Sequence, residues 1–534
     1  MRLESKTIAV LLFALAIQIV GIFDHSLWTT DEPWVAEVSR EMSVSGDYLI
    51  PKLSDTPFLE KPPLFYATTA IFWRIFGIEN EGFGRLSSTL FAIGTLLVVF
   101  LGVKALYTES AAAFSALILA TTIQFFLTSH WLKIENALTF FITSALFSFI
   151  LAYRQGLKFG FILFWIFTAL AFMTKGMIGI AIPLAVVAMF VLWQRDFSVI
   201  RKARVFPGIL IIAFTVIGWG WVLYLRGGKD FVFNFFLYEN LGRFLHIEGL
   251  YNGTNFNPFY FYLPTVLTDS FPWSILMIPA LITVRKPDER MKFFCSWFFG
   301  GLLLLSIAST KRHLYLLPLF PAMAVIIGQW MVRCINEGFS RWERVVLWVL
   351  CTMLVFYSLL VPVAYVKIGG SILTAIIGFL VSIGLFLLVS LTIAKSLLEK
   401  LLLGLAILTL TWTPLIFPQL DTIRTYKPFY QEAGRIVGKS KVIGYRMDEP
   451  TISFCQFYGG FKADMASDKR IFKEMILSKA APFVIVLPGS YDDDLIKLIK
   501  SQGILILKVS GNKWRRETQL WSLSMQSGNK TKAQ

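Results

Sequence analysis

The sequence predicts a polytopic α-helical membrane protein with a small α/β domain at its C-terminal end, on three observations. The chain has 534 residues, 56% of them hydrophobic and only 16% charged. Soluble domains carry roughly 25% charged residues, and here the mean hydropathy is +0.65. Apolar runs of about 20 residues recur along most of the length, each long enough as a helix to cross ~30 Å of hydrocarbon. They are too long and too evenly apolar for barrel strands, the other structure that closes its own hydrogen bonds in lipid. Beyond residue 418 the pattern changes to short β-branched runs alternating with helical ones, as a small α/β domain reads.

The spans fall near 8–23, 84–106, 111–129, 136–155, 159–174, 176–194, 207–225, 260–284, 292–309, 314–334, 344–366, 370–394 and 401–418. That is about thirteen transmembrane helices, so the two ends face opposite sides. The first span reads as uncleaved, because Asp24-His25-Ser26 offers no small-residue cleavage site after it. Short connections bearing Arg2/Lys6, Lys104, Arg154/Lys158, Arg195/Arg201/Lys202/Arg204, Arg285/Lys286/Arg290/Lys292, Arg333/Arg341/Arg344 and Lys395/Lys400 are basic, as cytoplasmic loops are. Topology and anionic lipid thus account for the net charge of +16, and nucleic acid is excluded as a partner. The cysteines Cys295, Cys334, Cys351 and Cys455 imply no disulfide framework.

The opposite side carries a long loop, 24–83, a second loop, 226–259, and the tail. In the first loop Asp31 is expected to cap a short helix with Pro33 in its first turn. Trp34, Val35, Val38 and Met42 share one side of it, and Gly46 ends it. Pro62 to Phe76 is apolar but short for a span. Both segments read as helices lying in the outer interface. Residues 1–418 form the membrane domain and 419–526 an extracytoplasmic α/β domain, with strands expected at 441–445, 483–488, 503–507 and 519–523 and helices at 427–438, 450–458 and 491–501. Residues 527–534 are polar and read as a disordered tail.

Charges near lipid are costly and mark function, and they gather on this outer side. They are Asp31, Glu32, Glu60 and Lys61; Lys133 and Glu135; Lys175; Arg243, His246 and Glu248; and Lys311, Arg312 and His313. All four histidines fall there as well. Fixed cations suit a phosphate or diphosphate. A carboxylate suits a base that takes a proton from an attacking hydroxyl, or holds an attacking group in place. Together they fit group transfer from a lipid phosphate carrier. Plainer roles stand beside these: Asp31 as a helix cap, Glu135 paired with Lys133 or Lys175, Arg312 on lipid phosphate, Arg74 reaching to headgroups, Glu37 and Glu41 structuring the helix surface with Arg40.

Several stretches in this order carry a resemblance. They are Asp31-Glu32, Ala36-Glu37-Val38-Ser39-Arg40-Glu41-Met42, Ser45-Gly46-Asp47, Pro57 to Leu64, Gly84-Arg85-Leu86, Lys175-Gly176, Arg243-Phe244, Pro272-Trp273 and Ser309 to Pro318. They resemble bacterial 4-amino-4-deoxy-L-arabinose lipid A transferases, which are GT-C glycosyltransferases in the wider protein O-mannosyltransferase superfamily. The resemblance implies a GT-C fold, a multi-pass protein of the bacterial inner membrane with its C-terminal domain in the periplasm, and sugar transfer from a polyprenyl (undecaprenyl) monophosphate with inversion. The acceptor it implies is lipid A or another envelope glycan.

The same resemblance implies residue roles. Asp31 takes the position of the essential aspartate, and Glu135 that of a second acid. Lys61, Lys175, Arg243, Lys311, Arg312 and Tyr315 are placed around the carrier phosphate. Glu60 is placed as a holder of a divalent metal, with no organic cofactor; Glu32, His246 and His313 are further candidates. The chain departs from the pattern at Trp34, where the family often has Arg; at Glu135, where Asp is commoner; and at Asn240, which follows Glu239 where some relatives place His. A protein O-glycosyltransferase of the same superfamily, a lipid-linked-sugar flippase and an envelope polymer ligase are the competing readings. The flippase would place its charges near the midplane in broken helices or inverted repeats, and neither pattern is expected from the sequence.

Overall fold

The computed structural model describes residues 4–28, 30–78, 80–245, 257–283, 287–394, 396–512 and 515–523. His246, Glu248, Arg285, Lys286, Lys395 and the expected tail 527–534 lie outside the described residues. The chain begins with α1 (Ser5–Ile19), α2 (Glu32–Ser45), a hairpin of β1 (Lys52–Leu53) and β2 (Thr56–Pro57), and α3 (Leu64–Phe76). There follow α4 (Glu81–Leu106), α5 (Glu109–Ala120), α6 (Ile123–Ser129), α7 (Ile134–Gln155), α8 (Gly160–Lys175), α9 (Ile178–Gln194) and α10 (Ser198–Lys202). Then come α11 (Val205–Phe233), a π-helical stretch Asn234–Gly242, α12 (Arg243–Leu245), α13 (Tyr262–Asp269), α14 (Ser274–Thr283) and α15 (Glu289–Ile307). A 3₁₀ stretch His313–Leu319 leads into α16 (Phe320–Glu337), α17 (Arg341–Lys367), α18 (Ile372–Thr392) and α19 (Leu397–Arg424).

Among the described residues eight helices are long and apolar enough to cross a membrane, or ten if each of two bent pairs is one span. Shorter apolar helices lie at Lys6–Ile19, Leu64–Phe76, Gly160–Lys175 and Ile178–Gln194. The apolar window of α7 is 89% buried, which makes it the central post; those of α11, α17 and α18, at 17%, 22% and 22%, lie at the rim. Helix α7 packs on α4 and α8, α5 on α16, and α15 on α9.

Two expected spans are broken rather than continuous. Helices α5 and α6 meet at 68°, and the Phe259–Asp269 and Ser274–Ile282 segments at 106°. Each break frees backbone groups that lipid cannot satisfy, and the two breaks satisfy each other. Ile123 N donates to Phe271 O at 3.0 Å, and Trp273 Nε1 donates to Thr121 Oγ1 at 3.0 Å. The first break carries no charged side chain, whereas Asp269 ends the helix before the second and faces His313. Residues 226–245, expected as loop, continue α11 past Gly227 and Gly228, whose non-helical angles kink it.

The C-terminal residues fold as α20 (Lys427–Val437), β3 (Val442–Gly444), α21 (Glu449–Phe457), β4 (Ala463–Met465), α22 (Lys469–Leu477), β5 (Phe483–Val486), α23 (Asp493–Gln502), β6 (Ile504–Val509) and β7 (Thr518–Ser522). The five strands lie in the order β4-β3-β5-β7-β6, parallel across β4, β3 and β5 and antiparallel across β5, β7 and β6. The sequence reading lacked β4 and α22. Ala463-Asp464-Met465 is a short, mostly exposed edge strand without the apolar run that marks the others. Helix α21 packs directly on α2, so this sheet is joined to the end of the bundle where the charged groups collect.

Candidate active site

A buried ion pair sets the geometry of that end. Glu32 and Arg85 have fully buried side chains, with Arg85 Nε 2.8 Å from Glu32 Oε1. A buried pair is tolerable when every remaining polar atom is satisfied, and this one is. Arg85 also donates to the carbonyls of Ile22, His25 and Ser26 at 3.1, 2.8 and 2.6 Å. Glu32 accepts from Trp28 N at 2.6 Å and Leu132 N at 2.9 Å. One pair thus ties the chain just after α1, the start of α2, α4 and the turn before α7. Glu32 is next to Asp31 and Leu132 is next to Lys133, so the pair fixes the spacing of Asp31 and Lys133. Glu32, expected among the site candidates, is structural.

Asp31 holds the N-cap position of α2 but makes no side-chain capping bond; the expected cap is not formed. Its carboxylate is taken by cations instead, with Lys133 Nζ at 2.7 Å and Arg312 Nη2 at 2.6 Å, both from Oδ2. Across the same small pocket Lys175 Nζ lies 2.7 Å from Glu135 Oε1 and 4.2 Å from the Tyr315 ring centroid, a cation–π distance. Glu60 meets Lys61 at 3.3 Å and Arg243 at 3.5 Å, and Arg243 reaches Glu239 at 3.2 Å. Trp34 lines the pocket too. Within it the free volume is only about 30 Å³, because the acids and cations close on one another.

The electrostatics follow from this pairing. Burial pushes the Asp31 carboxyl up, but Lys133 and Arg312 outweigh it and hold the group well below the usual carboxylate range. Glu60 behaves alike: burial raises it, Lys61 and Arg243 lower it further, and the net shift is down. The site holds five cations (Lys61, Lys133, Lys175, Arg243, Arg312) against the acids Asp31, Glu60 and Glu135. That surplus suits an anion.

One turn positions two of those cations. Gly176 has φ +74°, a left-handed angle that a side chain strains, and a Cβ there would fall 2.3 Å from Asn240 Oδ1. That oxygen accepts from Met177 N at 3.0 Å. Asn240 therefore clamps the π-helical stretch, with Glu239 and Arg243 at its end, onto the turn that follows Lys175. The pocket opens here into an apolar groove of about 600 Å³, lined by residues such as Leu138, Ile182, Phe236 and Leu305. Glu60, Lys61, Lys175, Arg243 and Tyr315 line both spaces.

Other expected members stand elsewhere. Lys311 is buried, but its Nζ donates to Ala308 O at 2.6 Å and Asn257 O at 3.0 Å, outside this pocket. His313 is half-exposed and faces Asp269 at 3.6 Å. Glu37, expected on a helix surface, is fully buried and carries Arg40 at 2.5 Å. Glu60 does not fit as a ready metal holder: its carboxylate faces Lys61 and Arg243. Among the described residues no group of three or more His, Cys, Asp or Glu is gathered for a metal. Lys133, one of two partners expected for Glu135, pairs with Asp31 instead. Arg85 was legible as an arginine at the start of a span.

These placements set one expectation. Arg243→Ala removes the cation shared by pocket and groove and leaves Glu60 and Glu239 facing each other. Affinity for a lipid phosphate, measured by binding to the detergent-solubilised protein, is expected to fall about tenfold or more. Lys311→Met, which removes two bonds to backbone carbonyls, is expected to lower thermal stability and leave that affinity within about twofold.

A family model described as dolichyl-phosphate-mannose-protein mannosyltransferase matches residues 60–221. An uncharacterized protein of Aquifex aeolicus is 32% identical over 317 residues, which cover 59% of this chain and 70% of that protein. The undecaprenyl phosphate-alpha-4-amino-4-deoxy-L-arabinose arabinosyl transferase of Pectobacterium carotovorum is 29% identical over 336 residues, 61% of this chain and 59% of that enzyme. The match thus spans about three fifths of the arabinosyl transferase. The crystal structure of ArnT from Cupriavidus metallidurans bound to undecaprenyl phosphate superposes with a TM-score of 0.77 at 19% identity, covering 96% of this chain and 97% of that one. That likeness shows the fold.

Proposed function

Because this chain belongs to the GT-C glycosyltransferases of the protein O-mannosyltransferase superfamily, we propose that it moves a sugar from undecaprenyl monophosphate to an envelope acceptor. Lipid A or a related glycolipid is the acceptor best supported, with transfer at the periplasmic face of the inner membrane. On this reading the chain crosses thirteen times with its N-terminus in the cytoplasm, and α2, α3 and the C-terminal sheet stand at the periplasmic side. The observation that carries the reading is the continuity of the two spaces. A pocket with five cations opens through Lys61, Lys175, Arg243 and Tyr315 into an apolar groove. A phosphate on a long isoprenoid chain matches both halves, and neither a free nucleotide sugar nor a bare sugar does.

The step follows from the residues. The carrier phosphate takes up Lys175 and Arg243 and draws Arg312 and Lys133 from Asp31. The acceptor oxygen attacks C1 of the sugar from the face opposite the phosphate, giving Asp31 its proton where it carries one. The C1–O bond to phosphate breaks, and its electron pair leaves with undecaprenyl phosphate. The cations stabilise the charge that grows there, which is the larger part of the work; inversion at C1 is the consequence.

The test is mass spectrometry of lipid A, other envelope glycolipids and glycoproteins from a deletion strain, with and without wild-type protein restored. A sugar-sized mass missing from one lipid class and restored by wild type is expected. A loss confined to glycoproteins would move the acceptor to protein. No change in any class would sink the transferase reading and favour transport.

A further inference from the structure

The first loop is held from several directions just before the aspartate. His25, Ser26, Leu27 and Trp28 are all buried, and a buried segment outside helix or strand must find partners for its backbone groups elsewhere. Arg85 of α4 takes the carbonyls of His25 and Ser26. Asp421, near the end of α19, accepts through one oxygen from Ser26 N at 2.9 Å, Ser26 Oγ at 2.6 Å and Trp28 Nε1 at 2.6 Å. Trp28 N donates to Glu32. Between them Leu27 N turns to the C-terminal unit and donates to the Tyr458 hydroxyl at 2.8 Å.

Tyr458 caps the C-terminal end of α21, and its hydroxyl is used twice. It accepts from Leu27 N and donates to Glu81 Oε1 at 2.8 Å. The same carboxylate oxygen takes Lys427 Nζ of α20 at 2.8 Å. Glu81 is the first residue of α4, and Arg85 stands one turn further along that helix. Ring contacts fix the phenol. Phe454, one turn back in α21, stacks on it with centroids 5.8 Å apart and planes 11° apart. Phe457 beside it meets Trp73 of α3 at 5.6 Å. One hydroxyl of the C-terminal unit thus bridges the segment that leads to Asp31 and the helix that carries Arg85.

We infer that Tyr458 is a positioning residue for the transfer: through it the C-terminal unit holds Leu27, four residues before Asp31, and so sets where the aspartate meets its cations. The inference rests on the transferase reading. It gives the C-terminal unit a task in the reaction although no described residue of that unit lines the pocket. Asp31 makes no capping bond of its own, so the start of α2 takes its place from the residues before it. A misplacement of 1 Å at a reacting group costs about 10²-fold in rate, which makes one backbone bond in this segment matter. Docking alone would not need it. Lys427 and Glu81 already join the two parts as an ion pair, and the rings add packing; the hydroxyl adds a bond to the one loop on which the site's geometry depends.

The test compares Tyr458→Phe, which removes one oxygen and keeps the ring, with Lys427→Met, which weakens the same junction but leaves Leu27 its acceptor. Both are made in the full-length protein. In Tyr458→Phe, amide hydrogen exchange over residues 25–31 is expected to quicken about tenfold or more while α20 to α23 stay as protected as in wild type. Its kcat for sugar transfer should fall about 10- to 100-fold, with affinity for undecaprenyl phosphate within about threefold of wild type, because the cations that hold the phosphate are untouched. Lys427→Met should lower the unfolding temperature and keep kcat within about twofold. Unchanged exchange over residues 25–31 in Tyr458→Phe would overturn the inference, as would quickened exchange with an unchanged kcat. So would a loss of kcat in both variants in proportion to their loss of thermal stability, the pattern of a purely structural contact. Wild type that transfers no sugar, while Tyr458→Phe still frees residues 25–31, would sink the transferase reading and leave Tyr458 as the holder of that segment.

Discussion

Asp31→Asn is expected to lower kcat for sugar transfer by about 10²–10⁴, the range attributed to a positioned proton acceptor, and to bind undecaprenyl phosphate more tightly than wild type. The second half of that result comes from the resting geometry. Asp31 occupies both Lys133 and Arg312 through one oxygen, so it competes with the carrier phosphate for them. Asparagine, nearly isosteric and neutral, releases both cations. A carboxylate paired this way is held well below its usual range and is a poor base; it becomes basic only when the phosphate draws its partners off. On the proposed mechanism, binding of the donor would thus switch on the group that accepts the proton. For the same reason kcat/KM, which reports the ionisations of the free enzyme, should lose nothing to protonation of Asp31 as pH falls through the ordinary carboxylate range. Steady-state kinetics with a binding measurement decides the matter. If Asp31→Asn kept its kcat and lost carrier affinity instead, the aspartate would be a holder of cations and not a partner of the acceptor.

Much of the site's membership was legible because membrane sequences make charges scarce. Asp31, Glu60, Lys61, Glu135, Lys175, Arg243 and Arg312 stood out against apolar runs, and the structure brings all seven to one pocket. Which of them touch was not legible. Asp31 and Arg312 are 281 positions apart, and their contact at 2.6 Å depends on how α2 and the 3₁₀ stretch before α16 meet. Lys311 and Arg312 are neighbours in sequence, yet one feeds backbone carbonyls and the other the site; a periodicity argument fails in a turn of irregular backbone. The bends between α5 and α6 and between α13 and α14 were hidden because apolar character continues through them. The signal for the first was Thr121-Thr122 at its break, polar residues able to bond the preceding turn, as both do.

Arg85→Met should be the most destabilising single substitution among these residues, by about 3–5 kcal/mol, because it leaves Glu32 charged and buried without its cation. The structure makes this more than a local loss. Glu32 would still accept from Trp28 N and Leu132 N, but the carbonyls of Ile22, His25 and Ser26 lose the Arg85 guanidinium at once. Asp31 and Lys133 then lose the common anchor that sets their spacing, so transfer should fall together with stability. Glu32→Gln keeps the shape and most of the bonds while removing the charge, and should cost much less. The double variant Arg85→Met/Glu32→Met removes both charges and fills the space with apolar atoms, and should recover stability relative to Arg85→Met alone. A double-mutant cycle on thermal or denaturant unfolding in detergent measures the coupling. Additive costs would show that Arg85 stabilises the fold through the loop carbonyls alone. Strong coupling, with activity still missing in the stable double variant, would show that the pair is there to place the aspartate as well as to hold the fold.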